Sequence, residues 1–527
     1  MKKIIFFCAF LISVSVVSQS KIKVSKSEIF KDKNTLSELV YSSSDNKGGI
    51  ILLRQLFSMM GKNSKGYVLE YYDENLKLKE MKDFEDKELV FKGMYIKDNS
   101  VNLIEFRKNS KNESLDYNLL TANLDNLNFS SKSIFSINKD DVNNPFLAGI
   151  GIFFVSNFSK IDHDPTGEVQ ISKNEKYIAF NFDIKDKKSE THRVLVYDTN
   201  LNKVYEKEFS QNIKDKYFRY NSFTVSDLDG SVYFLGKAYK NDSFRDRKDG
   251  VINYNFKLYK LTTDDIKSES FDTNDSYINS LALLSNDKGL FCIGSYSDNN
   301  SSRDRGIAFF KIDRDNLKVQ KSRLNPFTEQ FMIDKYGEKK GKKKSDKDEE
   351  ISNLVYKEFF ITDENEIYFN AEEQYVTTYT YTTTNGNMST RTIYHFNDIY
   401  SCKLNFEGDL QWMRTINKGQ GSSGLIDYLS FSSIVKEGKM YIFLNGDEDV
   451  KKLKDNRIAF SQTKIKKMNL YVLEIDQTGN FTYDILIEDK DSKVTYKTQY
   501  GILSNESGVI LFEGNKARDK QIVKIEL

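Results

Sequence analysis

The chain has 527 residues, with 78 Lys and Arg against 77 Asp and Glu, 39% hydrophobic residues and 13% aromatics. Charges that nearly cancel remove the overall positive field that draws proteins to nucleic acid or anionic membranes. Three Pro in the whole chain argue against Pro-rich linkers or an extended tether, while 31 Tyr and 38 Phe suit pleated, half-buried surfaces and a large core.

Residues 1–20 read as a secretory leader: Lys2 and Lys3, an apolar run from Ile4 to Val17, then small Ser18 and Ser20 near a cut. Cys8 follows Ile5, Phe6 and Phe7 rather than the small residues of a lipoprotein signal, so no lipid anchor is expected. The expected location is outside the cytoplasm: periplasmic, outer-membrane-associated or extracellular. No later stretch reaches the roughly 18 apolar residues of a membrane helix, so no transmembrane segment is expected once the leader is removed. Residues 21–527 are expected to form a single domain. Cys292 and Cys402 lie in separate apolar strands; an oxidising compartment permits a bridge, but two small buried hydrophobes is the favoured reading.

A strand, a short Asp/Asn/Gly turn and a second strand recur from Tyr67, Arg193, Ile307, Ile399 and Leu470, with weaker copies from Tyr117 and Phe256 and a truncated one from Gln521 to Leu527. Preceding most copies is another strand pair with an equally tight turn, as at Ser226–Gly230, Ser285–Gly289 and Thr362–Glu366. Such residues supply local side-chain hydrogen bonds and positive φ for short hairpins. Four strands per unit at a period of about 50 residues predict an all-β fold, a β-propeller of eight four-stranded blades. A seven-bladed count follows if one weak copy is misread. The last unit ends after its third strand, and the alternating segment Lys21–Ile29 is the expected donor of the fourth, since an open ring leaves edges unpaired. The competing reading of that segment is a frayed tail.

The run from Asp398 through Gly408, Asp409, Leu410, Gln411 and Trp412 resembles propeller repeats with an Asn/Asp-x-x-Gly turn and a Leu-x-Trp strand. With Glu373-Gln374-Tyr375, the Thr/Tyr hairpin after it, and Met440–Asp447, the last third of the chain is similar to a group of exported propeller proteins of Bacteroidota. The resemblance implies a fold and an envelope location, but no activity. Quinone-dependent dehydrogenases that share the repeat carry Trp in most blades; this chain has only Trp412, and no cofactor is expected.

Antiparallel alternation puts all the tight turns on one face of such a propeller and all the long insertions on the other. Those insertions are Tyr239–Tyr254, Ser295–Arg305, Glu372–Phe396 and Gly446–Lys467 within blades, with Asn138–Gly167 and Asn325–Glu350 between them. Glu372–Phe396 reads as a long hairpin turning at Asn385-Gly386, whose Tyr375, Tyr379 and Tyr381 suit contact with a sugar ring or peptide. The competing reading is a decorative hairpin packed on a neighbouring loop. The apolar run Phe146–Val155, with Phe153 and Phe154, makes a docking patch if exposed and a stabilising strand or plug if buried. Glu338–Glu350, basic then acidic, reads as a solvated, mobile loop, or as a basic hook for anionic glycan or lipid.

Chemistry-bearing motifs are sparse. Asp162-His163-Asp164 reads as polar surface rather than a site, Asp227, Asp229 and Gly230 as a β-turn rather than a calcium loop, and no metal is expected. Carboxylates brought together from distant blades leave no local spacing. The expected function is therefore a non-catalytic binding or scaffold protein of the cell envelope that holds a protein or glycan on its loop-rich face, without nucleic acid. The alternative is a propeller hydrolase or lyase acting on a polysaccharide or peptide. Two carboxyl groups within about 5 to 10 Å in a pocket on that face point to the second reading, and a broad, shallow face without buried titratable groups to the first.

Overall fold

A computed structural model describes residues 22–527 except 32–36, 59–63, 144–165, 187, 211–212, 215–216, 241–242, 244, 249–250, 272, 274–275, 299–302, 383–384, 386, 466 and 504–507. Seven antiparallel sheets follow one another along the chain over 37–84, 90–138, 168–210, 218–271, 277–326, 354–422 and 431–487. We number them as blades 1 to 7. Blade 8 combines 495–526 with the first described strand, Lys23–Lys26, so the fold is an eight-bladed propeller.

The ring is closed by its core. Eight clusters of buried apolar side chains each join two neighbouring blades, and the last of them joins Ile502, Leu511 and Ile522 of blade 8 to Ile50, Leu52 and Tyr72 of blade 1. Second and third strands of the blades are buried on both faces, as in Val232–Tyr239 and Leu290–Ser297, which explains why they read as near-continuous apolar runs.

Closure follows the expected plan. Lys23 to Lys26 pair antiparallel with Glu526 to Val523, and Phe30 and Lys31 with Lys520 and Asp519. Beside this seam Arg54 of blade 1 meets Glu70 at 2.5 Å and Glu513 of blade 8 at 3.4 Å, with Lys520 at 3.0 Å from Glu513. Burial alone would raise the Glu513 carboxyl, but Lys497, Lys520 and Arg54 hold it well below the ordinary carboxylate range.

Five of the turns between third and fourth strands share one device. The carboxylate of Asp73, Asp198, Asp313 or Asp476, or the amide oxygen of Asn405, accepts backbone N–H groups two and three or four residues on. The residue at positive φ is Gly408 or Gly479 in two of these turns but Leu76, Leu201 or Leu317 in the others. Leu76 and Leu317 are almost fully buried, so burial offsets the left-handed backbone that a leucine otherwise avoids.

Helices α1 (Glu329–Tyr336) and α2 (Glu338–Ser345) sit between blades 5 and 6, which corrects the expectation of a mobile loop after residue 338. Straight-chain lysines are good helix formers, and Gly341 lets α2 lie against the backbone of Ile333, where a Cβ would come within 2.5 Å of its Cα. Thr328 caps α1 by accepting from Phe331 N–H, and α1 buries Phe331 and Met332 against blade 6. Cys292 and Cys402 are both free and buried. No helix among the described residues is long and apolar enough to cross a membrane.

Deleting residues 1–31 strips the fourth strand from blade 8. We expect a stability loss of about 3 kcal/mol or more, from several ladder hydrogen bonds at roughly 1 kcal/mol each plus exposure of the edge. Urea unfolding of the truncated chain with an unchanged midpoint would contradict the closure.

Candidate functional site

The first strand of each blade lies innermost, and several of these strands carry one extra residue: Val40, Lys92, Asn221, Asn279 and Lys357 each interrupt the register. Such bulges re-aim side chains. In blade 6 the bulge at Lys357 turns the following Glu358 towards the first strand of blade 7, where its carboxylate accepts a hydrogen bond from the Ser433 hydroxyl. The Ser433 oxygen in turn accepts from Asn370 Nδ2 at 2.6 Å, which commits the hydroxyl proton to Glu358. Burial pushes the Glu358 carboxyl up to about 7 against the opposing pull of Ser433 and Lys357. Its residue is nonetheless only half-buried, whereas Ser433 is fully enclosed.

This pair is the inner end of a polar seam between blades 6 and 7. Towards the loop-rich face, the Ser430 hydroxyl donates to Glu372 at 2.6 Å, and Glu372 forms an ion pair with Lys418 at 2.7 Å, both side chains 0% exposed. Lys418 Nζ also donates to Phe396 O and to Gln420 Oε1, and its backbone N–H to Asp398 Oδ1. Burial pulls the Lys418 ammonium below its ordinary value even with Glu372 opposing the shift.

Two further bulges, at Glu373 and at Asn397-Asp398, mark where the long hairpin leaves the sheet. They aim Glu373 and Asp398 at Lys335 of α1, whose Nζ lies 2.7 Å from each carboxylate and 2.8 Å from the Tyr400 hydroxyl. The two carboxylate oxygens are therefore no further apart than twice that ion-pair distance. Burial would lower Lys335, but Tyr400, Asp398 and Glu373 hold it well above the usual lysine range. Arg414 fixes the same helix through Asp334 at 2.6 Å, with Thr415 donating to Phe331 O.

Above this root the hairpin runs on as an arm. Glu366–Thr382 and Met388–Asn405 pair directly out to Thr382 and Met388. Tyr375, Tyr379 and Tyr381 lie on one face of it with His395 and Arg391, as alternation requires. Tyr375 stacks on His395 at 4.4 Å between centroids, and Asn397 donates to its hydroxyl, so it is partly consumed by structure. Tyr379 and Tyr381 remain 53% and 49% exposed. Phe153 and Phe154, and Asp162-His163-Asp164, fall outside the described residues. Glu358, Glu372, Glu373, Asp398, Lys335 and Lys418 were not singled out from sequence; the available signal was a charge inside an apolar strand pattern, as at Glu372 after Ile367-Tyr368-Phe369.

No family model matches the chain, and no curated protein does. Among solved structures, it is similar to an acylaminoacyl peptidase in complex with Z-Gly-Gly-Phe-chloromethyl ketone at 10% identity, over 92% of this chain and 59% of that one, with a TM-score of 0.37. It is similar to prolyl oligopeptidase B from Galerina marginata at 9% identity, over 92% and 56%, TM-score 0.37. A eukaryotic initiation factor is similar at 9% identity, over 92% and 83%, TM-score 0.38. The chain spans about half the length of the peptidases it resembles.

The reading of a non-catalytic binding or scaffold propeller is corrected at this point. It called for a broad, shallow face without buried titratable groups, whereas the seam places Glu372, Glu373, Asp398, Lys335 and Lys418 beneath that face.

Lys418→Met leaves Glu372 as an uncompensated buried charge and is expected to cost about 3–5 kcal/mol in urea unfolding, most of it recovered by adding Glu372→Leu. A single substitution as mild as the double one would contradict the burial of this pair.

Proposed function

We propose that the chain is a hydrolase acting on peptide chains, with Glu358, on the first strand of blade 6, as its general base. The observation that carries this reading is the Glu358 carboxyl itself. It is half-buried on an innermost strand, is oriented by Ser433 and Asn370, and titrates at about 7, where a group can both take and return a proton near neutrality. Ser433, enclosed between blades, is a positioning residue.

The arm favours a peptide over a polysaccharide. Beyond Gln374 its first strand has no partner on its outer side among the described strands, so the backbone donors and acceptors of 375–382 suit an extended peptide, which a sugar polymer cannot pair with. Tyr379 and Tyr381 offer amphipathic bodies to side chains of that peptide. The leader read in residues 1–20 would set the reaction outside the cytoplasm.

The test is cleavage of a quenched fluorescent peptide library by the purified chain, with products read by mass spectrometry. Glu358→Gln should lose about a hundredfold or more in kcat with its circular dichroism intact. The parent rate should rise as pH passes upward through about 7, and the residual rate of the variant should not. No cleavage of any peptide, or full activity in Glu358→Gln, would refute the reading.

The same titration predicts a stability change. The folded state binds the Glu358 proton more tightly than the unfolded chain, so this group's contribution to stability falls as pH rises from about 4.5 to about 7. Glu358→Gln should therefore gain melting temperature relative to the parent above neutrality and show no such gain in acid.

A further inference from the structure

We propose that α2 and the hairpin after residue 450 form one docking surface for an acidic peptide segment; the inference rests on the peptide reading above and adds the class of substrate. Helix α2 carries Lys339, Lys340, Lys342, Lys343 and Lys344 against Glu338, a segregation of positive charge in a chain whose net charge is only +1. On α2, Lys339, Lys340 and Lys343 are exposed, and none of them has a carboxylate partner among the described ion pairs. Lys342 is spoken for by Glu338 at 3.1 Å, and Lys344 by Glu349.

The second half of the surface comes from another blade. The strand Lys451–Lys452 pairs with Ile458–Ser461 in a short hairpin between the second and third strands of blade 7, and Lys451, Lys452 and Lys454 are exposed and unpaired among the described ion pairs. Its turn is bolted to the junction of α1 and α2. Asp455 Oδ2 accepts from Glu338 N–H at 3.1 Å, and Arg457 donates to Lys335 O at 3.0 Å and Asp334 O at 3.3 Å. Gly341 against Ile333 fixes α2 in turn, so both sets of lysines sit on a held frame rather than on a free loop.

The carboxylates nearby have partners within the protein or lie at the ends of the two elements. Asp455 is used as a helix cap, and Asp447 accepts from Ser461 and Thr463. Glu448 and Asp449 are exposed at the root of the hairpin, and Asp346 at the far end of α2. None of the large exposed apolar or aromatic side chains lies on either element, which leaves no wedge for a bilayer and no platform for stacking bases. What the surface offers is a set of hydrated point charges, and Lys335 ties α1 to the root of the arm, whose outer backbone edge over 375–382 has no partner among the described strands. An acidic peptide uses both.

The experiment is fluorescence anisotropy of a labelled oligoglutamate peptide with the full chain across a salt series. Parent protein should bind with strong salt dependence, and Lys339→Ser/Lys343→Ser/Lys452→Ser should bind about tenfold more weakly with a flatter salt slope. An oligolysine peptide should not bind. Unchanged affinity in the triple variant would overturn the proposal. So would a heparin fragment, single-stranded DNA or phosphatidylglycerol vesicles binding as tightly as oligoglutamate and weakening equally on substitution, since that is general polyanion attraction. Glu358→Gln keeps the two readings apart: it should bind oligoglutamate like the parent, so loss of hydrolysis with binding intact tests the catalytic reading, and loss of binding in the lysine variant alone tests the docking surface.

Discussion

Every position on the loop-rich face depends on one pairing, that of the strand Lys23–Lys26 with the last strand of the chain, Asp519–Glu526. A ring of sheets without it has a free edge at blade 8, and the register of each blade against its neighbours loses its boundary condition. The buried cluster of Arg54, Glu70, Glu513 and Lys520 lies across the same junction. Lys497, Lys520 and Arg54 hold the Glu513 carboxyl well below its ordinary range, so the closing interface combines apolar packing with an ionic lock whose separate parts would be costly to bury alone.

Closure also explains why a polar seam between blades 6 and 7 is tolerated. Seven other inter-blade cores hold the ring, so one junction can take carboxylates and amines in place of part of its apolar contact. The bulges at Lys357, Glu373 and Asn397-Asp398 are the means: each adds residues to a strand and re-aims a side chain that strict alternation would have sent elsewhere. Along the seam the groups are pushed apart in character. Glu358 is left with a carboxyl near 7, Lys335 is held firmly charged by two carboxylates, and Lys418 is drawn below its ordinary range by burial.

The blades were legible because their signal is local. Asp73, Asp198, Asp313, Asn405 and Asp476 mark turns through hydrogen bonds to backbone a few residues away, and the apolar runs beside them need only two-sided burial. Reading the count, the order of strands and the donor of the last strand followed from that. The helix at Glu338–Ser345 was missed because its lysines look solvated in isolation; what orders them is the contact of Gly341 with Ile333, a tertiary fact. The seam was missed for a similar reason. Glu358 and Ser433 are 75 residues apart, and a bulge of one residue decides whether they meet. The tyrosines of the arm were found because period-two alternation around Asn385-Gly386 needs no long-range information, though the stacking of Tyr375 on His395 did.

Amide hydrogen exchange at Ile522–Glu526 tests the closure most directly, because these residues lie in the third strand of blade 8 and face the donated strand. The account predicts protection there, and at Val24 to Lys26, as slow as in the buried strand Val232–Tyr239. Rapid exchange at both segments while the other blades stay protected would show an open ring, and the loop-rich face would lose the frame on which the seam and the arm are placed.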